Sequence, residues 1–451
     1  MRCTIEHVIG ALALVGASQA SLQVIPGATW TSVNTGKHIQ AHGAGVVEVS
    51  GTYYMIGEDK TNGSPFQNVN CYSSTNLVEW KFENALLSVS ANGGDLGPNR
   101  VVERPKVIYN DKTHKYVMYL HIDDASYKEA KVGVATSDTV CGKYQYRGSF
   151  RPLGQQSRDM GLFRDDDGKG FLLTEDRPNG LRIDALSDDY LNVTKSVYLW
   201  SESIEAPAVW KKDGYYFMFG SRLTGWSTND NVYSYAKSLA GPWSPWALFA
   251  DKDSHTYNSQ TNFILPFGNS AIYMGDRWHS DNLATSTYIW LPLEISGTTI
   301  HMTNRDAWIP DVKAKTWSAA PSSSKYEGES AALSKGAKAV SCSGCSGGKG
   351  VGWVGGPQDG SVSFSGVHSD VSTRTTVKVV FANGDAAQRF ATVKVNGKSQ
   401  SVGFLSTVDG QKTGSSILNC DLVAGSGNQI TFEGLDGGYG PDIDYISVPS
   451  K

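Results

Sequence analysis

The sequence predicts an all-β protein, a five-bladed β-propeller followed by a β-sandwich of jelly-roll type. Three observations predict it. A polar residue recurs five times in one context: His42 in HGAGVV, Glu103 in ERPKVI, Asp159 in DMGLFR, Glu205 in EAPAVW and Gln260 in QTNFIL. Each lies four positions ahead of a large apolar residue, and each run leads through a turn signal into an aromatic-rich strand such as YNDKTHKYVMYL or KKDGYYFMFG. The ends of the units repeat as well. CYSSTNLVEW, VATSDTVCGKY, DALSDDYLNV and SYAKSLAGPW share a strand and a Ser/Thr/Asp turn, usually followed by an aromatic outer strand. Helix signals are nearly absent, while 49 Gly and 12 Trp among 451 residues suit tightly turned strands. Units of one β-motif spaced by 46 to 61 residues point to a propeller, whose innermost strands converge on a central axis.

Taken in order, residues 1–20 read as a secretory signal. Arg2 supplies the positive charge, Val8 to Val15 the apolar core and Ser18-Gln19-Ala20 the small-x-small cleavage site. The mature chain is expected to begin near Ser21 and the protein to be secreted and extracellular. No later run is long and apolar enough to span a bilayer. The propeller is expected over 21–317, with blades near 36–98, 99–152, 153–198, 199–253 and 254–310. Residues 318–324 are small and contain Pro321, which reads as a linker. From 325 to 451 the composition shifts to Gly, Ser and Val, and strands such as TTVKVVFA and FATVKVNG alternate with Gly, Asn and Asp turns, as in a β-sandwich.

The net charge of −4 gives no footprint for nucleic acid or an anionic membrane surface. Of six cysteines, Cys3 falls in the signal. Cys342 and Cys345 are expected to close a short disulfide loop, because no second CxxC or His cluster supports a zinc site. The pairing of Cys71 and Cys141 is open, and Cys420 is read as a buried thiol. Asn62 (NGS) and Asn192 (NVT) are glycosylation acceptors.

Five equivalent positions facing one axis, three of them carboxylates, offer what acid/base chemistry on a sugar needs. The motifs QAHGAGVV, ERPKVIYN, LHIDD ahead of Tyr127, RDMGLFRDDDG, IEAPAVWKKDGYYFMFGSRLTGW and GDRW resemble glycoside hydrolase family 43, most closely its exo-β-1,3-galactanases (galactan 1,3-β-galactosidases). YEGESA, CSGCSGGKGVGWVGG, VKVNGK and PDIDYISV resemble a family 35 carbohydrate-binding module. The first resemblance implies an inverting hydrolase in which Glu205 is the general acid and Asp159 tunes its pKa and positions substrate. The usual blade-one Asp base is replaced by His42-Gly43, as in the galactanase subfamily. Gln260, Glu103 and His42 are the candidates to handle the water. We favour Gln260 for holding it, Glu103 for gripping sugar hydroxyls and His42 as a support behind the sugar site. An ion pair between Glu103 and Arg104 is the competing structural role. Glu58, Tyr127, Asn179, Thr224 and Trp226 follow strand ends on the pocket side and are candidates for galactose contacts. Asp276, in Asp276-Arg277-Trp278, reads as a buried salt bridge rather than pocket floor.

The second resemblance implies a structural Ca²⁺ held by Glu327, Glu329 and Asp444 with backbone carbonyls, and a sugar site of Trp353, Arg389, Tyr439 and Asp442. No cofactor is expected for the chemistry itself. The expected substrate is β-1,3-galactan or the backbone of type II arabinogalactan, acted on by a monomer. The rival functions are an α-L-arabinofuranosidase or β-xylosidase of the same family, and a galactan-binding lectin without turnover.

Overall fold

The computed structural model describes residues 22–450, so the expected signal peptide lies outside the described residues. Five four-stranded antiparallel sheets follow one another along the chain. Their innermost strands are His42–Val49, Val101–Asn110, Met160–Arg164, Ile204–Lys212 and Gln260–Phe267. Each inner strand contacts the next, and the fifth returns to the first, which arranges the sheets around a ring. Inner strands are buried on both faces because each is wedged between its neighbours, so they read as apolar runs rather than as alternating patterns.

Four of the inner strands carry an irregularity at one equivalent place. Pairing with the second strand shifts register between His42 and Gly45, Glu103 and Lys106, Glu205 and Ala208, and Thr261 and Phe263. In the first, second and fourth strands the residue after the polar one has positive φ: Gly43 at 56°, Arg104 at 50° and Ala206 at 55°. A bulge bends the strand and re-aims the side chains beside it. Here it turns the polar residue towards the axis while the apolar run continues in the sheet. At position 43 only glycine fits, since a Cβ would lie 2.3 Å from Glu58 Oε1 and 3.1 Å from Arg104 Cα.

Cys71, in the third strand of the first sheet, and Cys141, after the third strand of the second, form a disulfide across 70 residues of chain. A hairpin of Trp308–Asp311 with Thr316–Ala319 follows the fifth sheet. Of the expected linker, Ser318 and Ala319 belong to that hairpin and Ser323 and Ser324 pair with Pro449 and Val448, which leaves only 320–322 outside strands.

The C-terminal residues form a six-stranded and a five-stranded sheet. Val377, Val379 and Ile446 from one and Val362, Phe364 and Phe432 from the other share a single buried core. Cys420 is a free thiol within that core, and Cys342 and Cys345 are joined by a disulfide. The segment ahead of the first sheet stitches the two parts together. Gln23 N donates to Thr376 Oγ1 at 2.9 Å, Thr29 N to Ser415 O at 2.7 Å and Gly403 N to Thr31 Oγ1 at 3.1 Å.

Candidate active site

The bulged strand ends converge on a pocket of about 230 Å³ on the ring axis. Glu205 is 7 % exposed at its wall. Gln260 Nε2 donates to Glu205 Oε1 at 2.9 Å and to Ser221 Oγ at 3.2 Å. The oxygen of the same amide accepts from Trp278 Nε1 at 3.0 Å and from the Arg104 guanidinium. Arg104 is the hub. Its Nε lies 2.8 Å from Asp159 Oδ2, its Nη1 donates to Asn262 Oδ1 at 2.8 Å and its backbone N–H to Glu58 Oε1 at 2.9 Å. Asp159 Oδ2 also accepts from the Ala206 backbone at 3.1 Å, which ties it to the residue after Glu205.

Burial pushes the Glu205 carboxyl up to about 8, with the Asp159 and Glu175 carboxylates adding to the rise and Arg104 and Arg177 opposing it. Glu205 is therefore a neutral acid at neutral pH, able to give a proton to a leaving oxygen. Arg177 Nη2 stands 3.9 Å from Glu205 Oε2, and its Nε is 2.6 Å from Glu175 Oε1.

A second, charged network lines the opposite wall. Lys60 Nζ lies 2.6 Å from Glu58 Oε2 and 3.6 Å from Glu103 Oε1. His121 reaches Glu103 at 3.3 Å and Asp123 at 3.0 Å, and Tyr127 donates to Glu103 at 3.0 Å. Burial alone would raise Glu103, but Lys60, His121 and Tyr127 outweigh it and hold the carboxyl well below its usual range. Burial opposes a charge on His121 as well, yet hydrogen bonds to Asp123 and Glu103 raise it to about 9. Glu103 is thus a fixed anion with two neighbouring cations, suited to gripping hydroxyls.

The fold gathers Glu205, Asp159, Gln260, Glu103, Glu58, Tyr127 and Trp226 around this pocket. His42 lies behind the pocket, the supporting place favoured for it, fully buried, stacked on Tyr288 and 3.2 Å from Asp276. Its alternative roles, handling the water or touching the sugar, are not met, and other expectations change as well. Asp276 therefore pairs with His42 and the Gly43 N–H, while Arg277 turns away to the Tyr257 carbonyl. Trp278 lines the pocket. Asn179 does not line it, because its side chain closes a turn onto Asp176 at 2.9 Å, and Thr224 is spent on a turn with Ser227 and Asn229. Glu103 and Arg104 do not pair with each other, since each has its own partner across the pocket. Lys60, Arg177 and Glu175 belong to the site without standing out in the sequence. Lys60 follows the second strand of the first sheet two residues after Glu58, and Arg177 that of the third two residues after Glu175, so a charge two residues beyond a strand-end acid is the signal that marks them.

A family model described as glycosyl hydrolases family 43 matches residues 40–262, a span that includes all five recurring positions. The structure is similar to the exo-β-1,3-galactanase of Phanerochaete chrysosporium solved with galactose: 42 % identity, 94 % of this chain, 99 % of that chain and a TM-score of 0.67. The chain belongs to glycosyl hydrolases family 43. It is a glycoside hydrolase. A variant of the same Phanerochaete enzyme, solved with β-1,3-galactotriose, matches at 41 % identity over 95 % of this chain and 100 % of that one, with a TM-score of 0.68. A putative exo-β-1,3-galactanase of Bifidobacterium bifidum is 37 % identical over 63 % of this family 43 chain and 97 % of its own, with a TM-score of 0.61. Among curated proteins, a β-D-galactofuranosidase of Aspergillus niger is 27 % identical over 197 residues, 38 % of this chain, which spans 54 % of that relative's length.

In the C-terminal sandwich, Trp353, Arg389, Tyr439 and Asp442 line one hollow of about 400 Å³. The Trp353 and Tyr439 rings are half-exposed and meet edge-on at 6.0 Å. Glu327 and Glu329 each keep a buried carboxylate oxygen without a hydrogen-bond partner, and Asp444 takes the Ser346 N–H at 3.1 Å. Burial, with Glu327 and Glu329 nearby, raises the Asp444 carboxyl. Among the described residues no three His, Cys, Asp or Glu side chains form a ready cluster for a metal ion. The all-oxygen donor set and the two unpartnered oxygens fit a hard cation.

Proposed function

We propose that this family 43 hydrolase is a secreted, exo-acting β-1,3-galactanase that works with inversion. The observation that carries the reading is Glu205, a carboxyl held neutral at the wall of a small axial pocket, in hydrogen-bond contact with the amide of Gln260. Similarity to galactanases solved with galactose and β-1,3-galactotriose supports the substrate. The ring of inner-strand contacts supports a five-bladed propeller. Lys60, Glu58 and Glu103 line one side of a pocket of only about 230 Å³, a volume that suits a site taking the end of a chain.

In this mechanism Glu205 protonates the glycosidic oxygen. Asp159, anchored by Arg104 and the Ala206 N–H, keeps that proton on Glu205 until the bond breaks. Glu103 and Tyr127 hold sugar hydroxyls. A galactosyl ring entering between Glu205 and Gln260 parts their hydrogen bond and leaves Nε2 to position the attacking water on the far face; as the water oxygen bonds to the anomeric carbon and the glycosidic C–O bond breaks, the water's proton passes to solvent and Glu205 is later reprotonated from solvent. Because the Gln260 oxygen already accepts from Trp278 and Arg104, the nitrogen is the end of the amide left for that water. Such a water-filled separation is what inversion requires.

The C-terminal sandwich is proposed to be a family 35-type carbohydrate-binding module. Trp353 and Tyr439 would supply rings for stacking, and Arg389 and Asp442 polar contacts. Glu327, Glu329 and Asp444 would hold a structural Ca²⁺ that ties loop to strand. Secretion is supported by the two disulfides and by the exposure of Asn62 and Asn192.

The test is incubation with β-1,3-galactotriose, following the anomeric form of the first product by NMR. Early α-galactose from the wild type, with the rate reduced about 10²–10⁴-fold in Glu205→Gln, is expected. Early β-galactose would overturn inversion. Saturable binding without any product would make the protein a lectin.

A further inference from the structure

We infer that the cleft between the propeller sheets and the C-terminal sandwich is a second sugar-binding site, which takes a stretch of neutral galactan lying outside the catalytic pocket. The inference rests on the galactanase reading above. The cleft encloses about 730 Å³, against about 230 Å³ for the catalytic pocket. One wall comes from the first and fifth sheets and the other from residues 386–388 and Leu405 of the sandwich.

The two cavities are neighbours. Glu58 and Lys60 line the pocket, while Asp59 and Thr61, interleaved with them, line the cleft. Trp278 lines the pocket, while Asn282 and Thr285, later in the same loop, line the cleft. Two loops thus form a partition with one face to each cavity, so a chain emerging over that rim enters the cleft. The far wall is held in place: Asn282 Nδ2 donates to Ala386 O across the boundary at 3.0 Å, and Gly403 is tied to Thr31.

The chemistry of the walls suits a sugar. Six carboxamides line the cleft: Gln40, Gln67, Asn68, Asn70, Asn282 and Gln388. Tyr72 and Phe82 add rings that meet edge-on at 5.4 Å. The Nε2 atoms of Gln67 and Gln388, one from each domain, are buried and have no hydrogen-bond partner. A buried N–H without an acceptor is costly; both atoms lie just beneath the wall, and rotating either side-chain amide towards the cleft would bring it to the hydroxyl and ring oxygens of a sugar. Asp59, the acidic residue on the wall, spends one oxygen on the Thr61 N–H and hydroxyl at 2.9 and 2.6 Å. Burial lowers His38 to about 4, so its ring is neutral. With Asp59 and the exposed Lys37 the charged side chains on the wall, its other polar groups are neutral amides and hydroxyls beside aromatic faces, which match an uncharged oligosaccharide.

The experiment compares kcat/KM on β-1,3-galactotriose and on β-1,3-galactan for wild type, Gln67→Ala/Gln388→Ala and Ala387→Trp, the last filling the cleft from an exposed position. Asn62 Nδ2 donates to Gln67 Oε1 at 2.7 Å, so a glycan there would start at the cleft mouth, and the protein is first treated with an endoglycosidase. Both variants are expected to keep the trisaccharide rate and to lose about three- to tenfold on galactan, the worth of one or two neutral contacts. Unchanged polymer kinetics in both variants overturn the cleft site. Electrophoresis in gels containing galactan reads binding without turnover: weaker retardation of Ala387→Trp supports the cleft, and equal retardation sinks it. If the wild type cleaves neither substrate, the galactanase reading fails on its own, and the gel still decides the cleft.

Discussion

Gln260 joins the acid to the cation: its Nε2 is 2.9 Å from Glu205 Oε1, while its Oε1 accepts from Arg104 and from Trp278. The amide is held at both ends, so its orientation is fixed before substrate arrives. Replacing it with alanine removes the group proposed to hold the water without touching the acid. Gln260→Ala should lower kcat about 10²–10³-fold on β-1,3-galactotriose with KM changed far less, as steady-state kinetics would read. Trp278→Phe, which removes one of the two donors fixing the amide, should cost about tenfold or less.

The acid sets an alkaline limit. As the proposed acid, Glu205 would work only while protonated, and burial pushes its carboxyl up to about 8, so kcat/KM should fall as pH rises through about 8. The folded value lies above the usual 4.5, so the folded chain binds this proton more tightly than the unfolded chain. Its stabilising effect is full below pH 4.5 and declines as pH rises towards 8. Glu205→Gln, which cannot ionise, should gain in Tm relative to wild type over that window, measured by a melting series at several pH values. A Tm difference independent of pH would count against the raised acid.

Glu175 and Arg177 push Glu205 in opposite directions. Burial raises the Glu175 carboxyl too, with Arg177 opposing it; over the pH range where Glu175 is ionised, Glu175→Gln removes a nearby negative charge and should move the alkaline limb down by about 0.5–1 pH unit. Arg177→Ala removes the cation at 3.9 Å and should move it up. A pH–rate profile separates this from a general loss of activity, because a purely structural role would lower the plateau without displacing the limb.

Trp353 is half-exposed at the mouth of the sandwich hollow, which shares no lining residue with the axial pocket. Trp353→Ala should leave galactotriose hydrolysis unchanged and weaken retention on insoluble galactan about tenfold, the loss of one stacking ring. A pull-down against the washed polymer measures it.

A cation between Glu327, Glu329 and Asp444 would bind the folded chain alone. Chelation should then lower the Tm of the sandwich and Ca²⁺ should restore it, with Glu329→Gln insensitive to both, as differential scanning calorimetry would record. A melting curve indifferent to chelator in the wild type would remove the metal.

The repeat of a polar residue four positions ahead of an apolar one exposed the ring and five of its inward positions, because each inner strand starts the same way. Four of those residues reach the pocket. His42 does not, since Tyr288 and Asp276 enclose it, and those partners arrive from a strand end more than 200 residues away. Adjacent charges suggest a pair between Glu103 and Arg104. Extended neighbours point to opposite faces, however, and the left-handed backbone at Arg104 swings the guanidinium towards Asp159. Asn179 and Thr224 sit in the correct loops but one turn off, where their side chains serve the turns. Lys60 and Arg177 matter only through what stands opposite them, which a local pattern does not carry.

The hydrogen bonds that run from Gln23, Thr29 and Thr31 into the sandwich alter what that domain can do for catalysis. A module on a loose leash enriches any substrate within reach, whatever its shape. On the proposed carbohydrate-binding reading, one bolted to the enzyme would act as a ruler: it would reward only those galactan chains whose natural curvature carries them from the sandwich hollow to the axial pocket. Stiffness and coil of the polysaccharide would then become part of substrate selection, alongside the identity of the terminal sugar.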